Sequence, residues 1–254
     1  MSDRPIHERD IAMQMEGNLS INYNLKKKFE FQLKKKELLG IRARVGFAED
    51  VSPSMDRLYA SGLMDQLNER ILPVAIKFDD NAEMDVASFD TRVFELPGMT
   101  EGNFDGYVRQ HLTNGKRSVM GGTCYGPPIM HFRDMWFNTK PKGGFLGRIF
   151  GGGSAPTEAT REKQDPAILI LQTDGDNQDR HAAEQAVQSC MSYNMYITFM
   201  TVGREDFSFV KYLADKYPNV GFLHIPDLRA ISDEELYEAL ITDELATWLK
   251  NAAV

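Results

Sequence analysis

Residues 167–176 read AILILQTDGD, and the way this stretch is read decides the fold. Five apolar residues follow one another without the polar alternation of a half-exposed strand, and Thr173, Asp174 and Gly175 then break the run as a turn would. A strand buried on both faces has this pattern, and such strands belong to parallel sheets flanked by helices. Two further runs, MYITFMTVG from Met195 and VGFLHIP from Val220, follow at intervals that helices over residues 179–192 and 206–216 would fill.

Upstream, IRARVGFAED (41–50) reads as the first strand. A helix is expected from Asp56, with Leu58, Leu63, Leu67 and Ile71 on one side and Pro73 marking its end. VAIKF (74–78) then reads as a second strand. DDNAEM has the turn residues to send the chain back through DVASF and TRVFEL, taken as the sheet edge. A polar helix near Asn103 to Leu112 precedes the loop MGGTCYG (120–126) and a helix containing Ile129, Phe132, Met135 and Trp136. Near the start, INYNLKKKFEFQLKKKELLG places Leu25, Phe29 and Leu33 at helical spacing, with Gly40 as its end. Its lysines, Lys26 to Lys28 and Lys34 to Lys36, form either an anion-binding stripe or, as favoured here, a solvated face around an apolar stripe. The last element opens with Ser232 and Glu235 at capping-box spacing and carries Leu236, Leu240 and Leu249 along a helix.

The expected architecture is therefore an α/β fold: an open, mostly parallel sheet with helices on both faces. One domain spans residues 20–254, after a loosely ordered segment at 1–19. A flexible Gly/Pro-rich insertion at about 138–166 carries an apolar island, Phe145, Leu146, Ile149 and Phe150, suited to docking on the parent domain or a partner.

Composition narrows the function. A formal net charge of -8 argues against general affinity for nucleic acid. No run approaches the apolar length of a membrane span, and the first residues lack a signal core, so a soluble cytoplasmic protein is expected. Cys124 and Cys190 lack the paired spacing of a zinc site and read as buried free thiols.

In an open parallel sheet, ligands bind beyond the carboxyl ends of the strands. Three polar segments should meet there: Asp50, Ser52 and Ser54 after the first strand, Thr123 in the glycine-bearing loop, and Asp174 after the clearest strand. Two carboxylates and three hydroxyls are hard donors suited to Mg2+, then to Mn2+ or Ca2+. Gly121 and Gly122 would let the second loop approach closely. Each part has a plainer reading: Asp50, Ser52 and Ser54 could prepare a helix start, Thr123 could be an ordinary loop residue, and Asp174-Gly175 a turn.

The combination of DVSPSM, GGTCYG and TDGD resembles the von Willebrand factor A (vWA) domain with a metal-ion-dependent adhesion site (MIDAS). The lead-in LKKKELLGIRARV and single-domain layout are similar to the TerF-like, tellurite-resistance-associated branch. The resemblance implies that Ser52 and Ser54 bind the ion through their hydroxyls. Asp50 and Asp174 would act directly or through water, and Thr123 would join in one conformational state. It also implies a protein partner that presents an acidic residue to the metal, a role in recognition without turnover, and a place in a stress or toxic-anion response. Two residues depart from the family pattern. Glu49 would point to a solvated side of the strand or add charge near the ion, and Pro53 would stiffen the loop.

Other readings are a metal-independent interaction scaffold and a hydrolase with Cys124 as nucleophile and His131 or His181 as base. A metal-assisted phosphatase fits poorly, because such sites gather more carboxylates or histidines. An EF-hand loop from Asp174 fails, since Asp179 and Gln185 stand where Gly and Glu are required. Asp176 and Asp179 are expected to shape the rim of the site or cap the next helix.

Overall fold

The computed structural model describes residues 23–113, 121–137 and 164–252. The N-terminal segment at 1–19 and the insertion, apart from residues 164–166, lie outside the described residues.

A helix over residues 23–35 (α1) is followed by β1 (Arg44–Asp50), a 3-10 turn at Pro53–Met55, α2 (Asp56–Ala60) and α3 (Leu63–Phe78). Next come β2 (Met84–Phe89), β3 (Val93–Met99), α4 (Tyr107–His111) and α5 (Gly126–Phe137). The chain continues through β4 (Ala167–Thr173), α6 (Arg180–Cys190), β5 (Met195–Val202), α7 (Ser208–Lys216), β6 (Val220–Ile225), α8 (Asp233–Leu240) and α9 (Asp243–Ala252). The sheet order is β3-β2-β1-β4-β5-β6, with β3 antiparallel to β2 and all other pairs parallel.

Every residue of β4 and β5 is buried, as their unbroken apolar runs require. One apolar cluster, with Phe29, Leu67, Ile71, Phe78, Tyr237 and Leu249, joins α1, α3, α8 and α9 to one face of the sheet. The other, with Tyr125, Phe132, Trp136, Val187 and Leu213, joins α5, α6 and α7 to the opposite face. Gly46 in β1 lets α5 lie close: a Cβ there would sit 2.6 Å from the Phe132 ring and 2.7 Å from Trp136.

Four expectations are corrected. VAIKF is not a strand but the last turns of α3, which runs through Pro73. An interior proline destabilises a helix by about 3 kcal/mol. Burial of Ile71, Leu72, Val74, Ala75 and Phe78 offsets this, and at about 1.5–3 kcal/mol for each large side chain the apolar face outweighs the lost bond. With that strand removed, α3 becomes the crossover, so DVASF returns parallel to β1 and only β3 reverses. The helix expected from Asp56 is also interrupted, at Gly62 (φ 75°), a left-handed conformation in which glycine has no Cβ penalty. The polar helix expected near Asn103 is the short α4 alone, and the C-terminal helix is two, α8 and α9.

The capping box is present: Ser232 Oγ accepts from the Glu235 N–H at 3.2 Å, and Glu235 Oε2 accepts from the Ser232 N–H at 2.8 Å. Five of the six lysines at 26–28 and 34–36 are paired with carboxylates. Lys28 pairs with Asp233 and Glu234, Lys35 with Glu238, Lys36 with Asp243, and Lys26 with Glu101. Among the described residues no helix is long and apolar enough to cross a membrane.

Candidate functional site

β1 and β4 are neighbours at the centre of the sheet. From β1 the chain moves on to β2 and β3, and from β4 it moves the other way to β5 and β6. The carboxyl ends of these two strands therefore diverge into separate loops, which opens a crevice between them. Asp50 ends β1, and Asp174 follows β4.

Side chains from the two loops meet in that crevice. Asp50 is fully buried. Its Oδ1 accepts from the Ser52 N–H at 2.8 Å and its Oδ2 from Thr173 Oγ1 at 2.6 Å. Ser52 Oγ lies 3.0 Å from Ser54 Oγ, and Ser54 Oγ donates to Asp174 Oδ1 at 2.7 Å. The result is a continuous line of oxygens from buried Asp50 and Ser52 to exposed Ser54 and half-buried Asp174.

This geometry bears on the helix-cap reading. Ser52 occupies the N-cap of the turn that starts with Pro53, yet its hydroxyl makes no cap hydrogen bond and turns to Ser54. Asp50 does support the local turn through the Ser52 amide, so cap chemistry accounts for one carboxylate oxygen and for neither hydroxyl.

Burial pushes the Asp50 carboxyl up to about 6 against the hydrogen bonds from Ser52 and Thr173, and the charge of Asp174 adds to the rise. Burial also raises Asp174, with Glu205 adding to it. Among the described residues the charges acting on both groups are carboxylates, so they add to the negative charge of the crevice. All-oxygen donors in such a field suit a hard cation, and the residues present fit one. Among the described residues no group of three or more His, Cys, Asp or Glu could hold a metal, so the serine hydroxyls are essential to any such site.

Thr123 is buried and reaches this end of the sheet on the loop before α5. That loop is joined to the Asp174 loop at several points. Thr123 O accepts from the Gln178 N–H at 2.8 Å, and Tyr125 Oη donates to Gly175 O at 2.5 Å. Gly121 (φ 75°) and Gly122 (φ 109°) take left-handed conformations, and a Cβ on Gly122 would meet Gln178 Oε1 at 2.5 Å. The structure thus brings Asp50, Ser52, Ser54 and Asp174 together, and the Thr123 carbonyl is bound to the Gln178 amide of the loop that carries Asp174.

Glu49 is neither solvated nor beside the oxygens. Strand alternation turns it to the opposite face, where it is fully buried and accepts from Asn68 Nδ2 of α3 at 2.8 Å. Burial pushes its carboxyl up to about 8, against the hydrogen bond from Asn68 and with the charge of Asp65 adding to the rise. Sequence reasoning missed this partner, and Asn68 on the apolar side of a helix was the available signal. Tyr59, whose hydroxyl donates to Asp50 O at 3.0 Å, was also missed. Of the two thiols expected to be buried, Cys190 is and Cys124 is only half-buried, because it lies on the loop before α5. Partial burial, Asp179 and Asp90 push the Cys124 thiol up, the reverse of what a nucleophile needs.

The chain matches the family described as vWA-TerF-like, "vWA found in TerF C terminus", over residues 42–139 and 155–254. It is similar to the uncharacterized protein YcbR of Bacillus subtilis (strain 168), with 30% identity over 231 residues that cover 89% of this chain and 86% of that one. Among solved structures it is similar to proximal thread matrix protein 1 from the mussel byssus with a zinc-occupied MIDAS motif. The TM-score is 0.50 at 15% identity, over 84% of this chain and 47% of that one. A second similar structure is the conserved hypothetical protein BatB from Bacteroides thetaiotaomicron, with TM-score 0.46 and 16% identity over 83% of this chain and 98% of that one. The chain spans about half the length of the byssus protein it matches.

Proposed function

Because this chain belongs to the vWA-TerF-like family, we propose that it is a divalent-cation-dependent protein-binding module whose ion is held at the carboxyl ends of β1 and β4. The observation that carries the reading is the line of oxygens Asp50, Ser52, Ser54 and Asp174, in which two carboxylates face each other through hydroxyls.

Asp50, Ser52, Ser54 and Asp174 would hold the ion, and Thr123 would approach it with the loop before α5. When bound, the cation supplies an open coordination position to an acidic group of a protein partner. The residues of the chain do the rest. Thr173 and the Ser52 amide fix the Asp50 carboxylate. Tyr59 holds the backbone at the strand end. The exposed Ser54 keeps one side of the site open to a partner. Mg2+ is the favoured ion on donor hardness, with Mn2+ and Ca2+ as substitutes.

Recognition without turnover is part of the same reading, supported by the raised Cys124 thiol. We extend the reading to a cytoplasmic place in a stress or toxic-anion response, as the resemblance to the TerF-like branch implies.

Calorimetric titration with Mg2+ and Mn2+ of the native chain and Asp50→Ala tests the claim. Binding to the native chain that is lost in the variant is expected; no binding, or equal binding to both, sinks it. Capture of partners with and without chelator tests the recognition step, and chelator-insensitive capture would favour a metal-independent scaffold.

A further inference from the structure

Asp179 stands at the N-cap of α6, yet its side chain makes no cap hydrogen bond to that helix. It reaches across to α5 instead. Oδ1 accepts from the Tyr125 N–H at 2.9 Å and Oδ2 from the Gly126 N–H at 2.9 Å, while Asn177 Nδ2 donates to Oδ1 at 2.8 Å. The sequence explains why these two amides need an outside acceptor. α5 begins Gly126-Pro127-Pro128, so two residues of its first turn have no N–H, and the amides that remain to be satisfied are those of Tyr125 and Gly126. A carboxylate there also complements the positive end of the helix. Gly126 makes the approach possible, because a Cβ there would sit 2.8 Å from Asp179 Oδ2.

We propose that Asp179 is a positioning residue for Thr123. It clamps the start of α5 to the loop that carries Asp174, so the Thr123 and Asp174 loops meet the Ser52–Ser54 loop as one unit. The Gln178 amide on Thr123 O and the Tyr125 hydroxyl on Gly175 O lie along the same seam and close it on either side of the clamp. The Ser52–Ser54 loop is tied to this unit by different contacts, those from Ser54 to Asp174 and from Thr173 to Asp50. The role of Asp179 in metal affinity rests on the cation reading above, whereas the clamp itself does not.

The test has two arms on the full chain. Hydrogen exchange without metal compares native protein with Asp179→Ala. Faster exchange across residues 121–126 together with 174–178, with Ser52 unchanged, is expected; unchanged exchange in those two loops, or loosening of one alone, overturns the clamp. Mn2+ titration then compares native, Asp179→Ala, Thr123→Ala and the double variant. Loss of a partner that orients metal ligands typically lowers affinity by about 10–100-fold, so Asp179→Ala should fall within that range in the native background and have no further effect in Thr123→Ala. Asp179→Asn, which keeps one strong acceptor, should recover part of the loss. Equal losses in both backgrounds would mean that Asp179 does not act through Thr123 and would overturn the positioning role. If the native chain binds no Mn2+, the cation reading fails, and the exchange arm alone decides the clamp.

Discussion

At the amino ends of β1 and β2, Asp79 accepts from the Val45 N–H at 3.2 Å and Asp85 from the Trp136 indole at 2.7 Å, while Arg44 donates to Trp136 O at 3.1 Å. Arg44, Asp79 and Asp85, with Arg42, line a cleft of about 260 Å³. At the carboxyl ends of β1 and β4, Asp50 and Asp174 share a crevice in which the side chains between them are hydroxyls and the charges acting on them are negative. Both ends are acidic, and burial raises a carboxyl at each, with carboxylates as the charges acting on it. The difference lies in the partners, since Asp79 accepts from the Val45 amide and Asp85 from an indole, whereas Asp50 accepts from the Thr173 hydroxyl and Asp174 from the Ser54 hydroxyl. The comparison teaches that carboxylates alone do not mark a site. What marks one is a set of carboxylates joined through hydroxyls, because a hydroxyl keeps lone pairs to offer a hard cation and an amide or indole N–H has none.

Helix α5 joins the two ends, with its start under Asp179 and its last turn carrying Trp136 between Arg44 and Asp85. Phe132→Ala removes the ring that packs on Gly46 and should destabilise the chain by about 3–5 kcal/mol in urea unfolding. If stability held, α5 would not be the common support. Paired substitutions sharpen the contrast. Asp85→Ala strands the Trp136 indole and should lower stability by about 1–3 kcal/mol without changing Mn2+ affinity. Asp174→Asn, measured in chelator, should leave stability equal or higher while Mn2+ binding is lost. The opposite pattern would put the functional end at the wrong edge of the sheet. Ser232→Ala removes the cap of α8, remote from both ends, and should lower stability by about 1 kcal/mol with Mn2+ binding intact.

The smallest effect expected is pH-dependent. Hydrogen bonds from Lys77 and Lys34 hold the Glu30 carboxyl down at about 2, below its ordinary 4.5. A lowered folded value means that its contribution is whole above about 4.5 and is lost as the pH falls through about 2. In Lys77→Met, acid unfolding should begin at a higher pH, and about 1 M salt should narrow the gap between the variant and the native chain. An unchanged acid transition would remove Glu30 from the contacts that secure α1.

Much of this was legible in the sequence because burial on both faces leaves an unbroken apolar run: β4 and β5 stand where AILILQTDGD and MYITFMTVG were read, and the partly exposed edge strand β6 stands at VGFLHIP. The oxygens of Asp50, Ser52, Ser54 and Asp174 were legible because a parallel sheet brings strand ends together. VAIKF was misread because a short apolar run has no period of its own, and Pro73 favoured a break that tertiary burial overrode. Asp179 was read as a rim residue or as a cap for the helix that follows it. Which helix it serves depends on the approach of α5, a contact 53 residues away in the chain for Gly126.

The family match begins at residue 42, but α1 at residues 23–35 sends Leu25, Phe29 and Leu33 into the core, where Phe29 meets the rings of Phe78 and Tyr237 at 5.9 and 5.1 Å. A recombinant fragment cut at the family boundary would therefore expose the hydrophobic seat of that helix on α3 and α8. Such a fragment should be prone to self-association, and a poor binding result obtained with it would report on the cut rather than on the crevice.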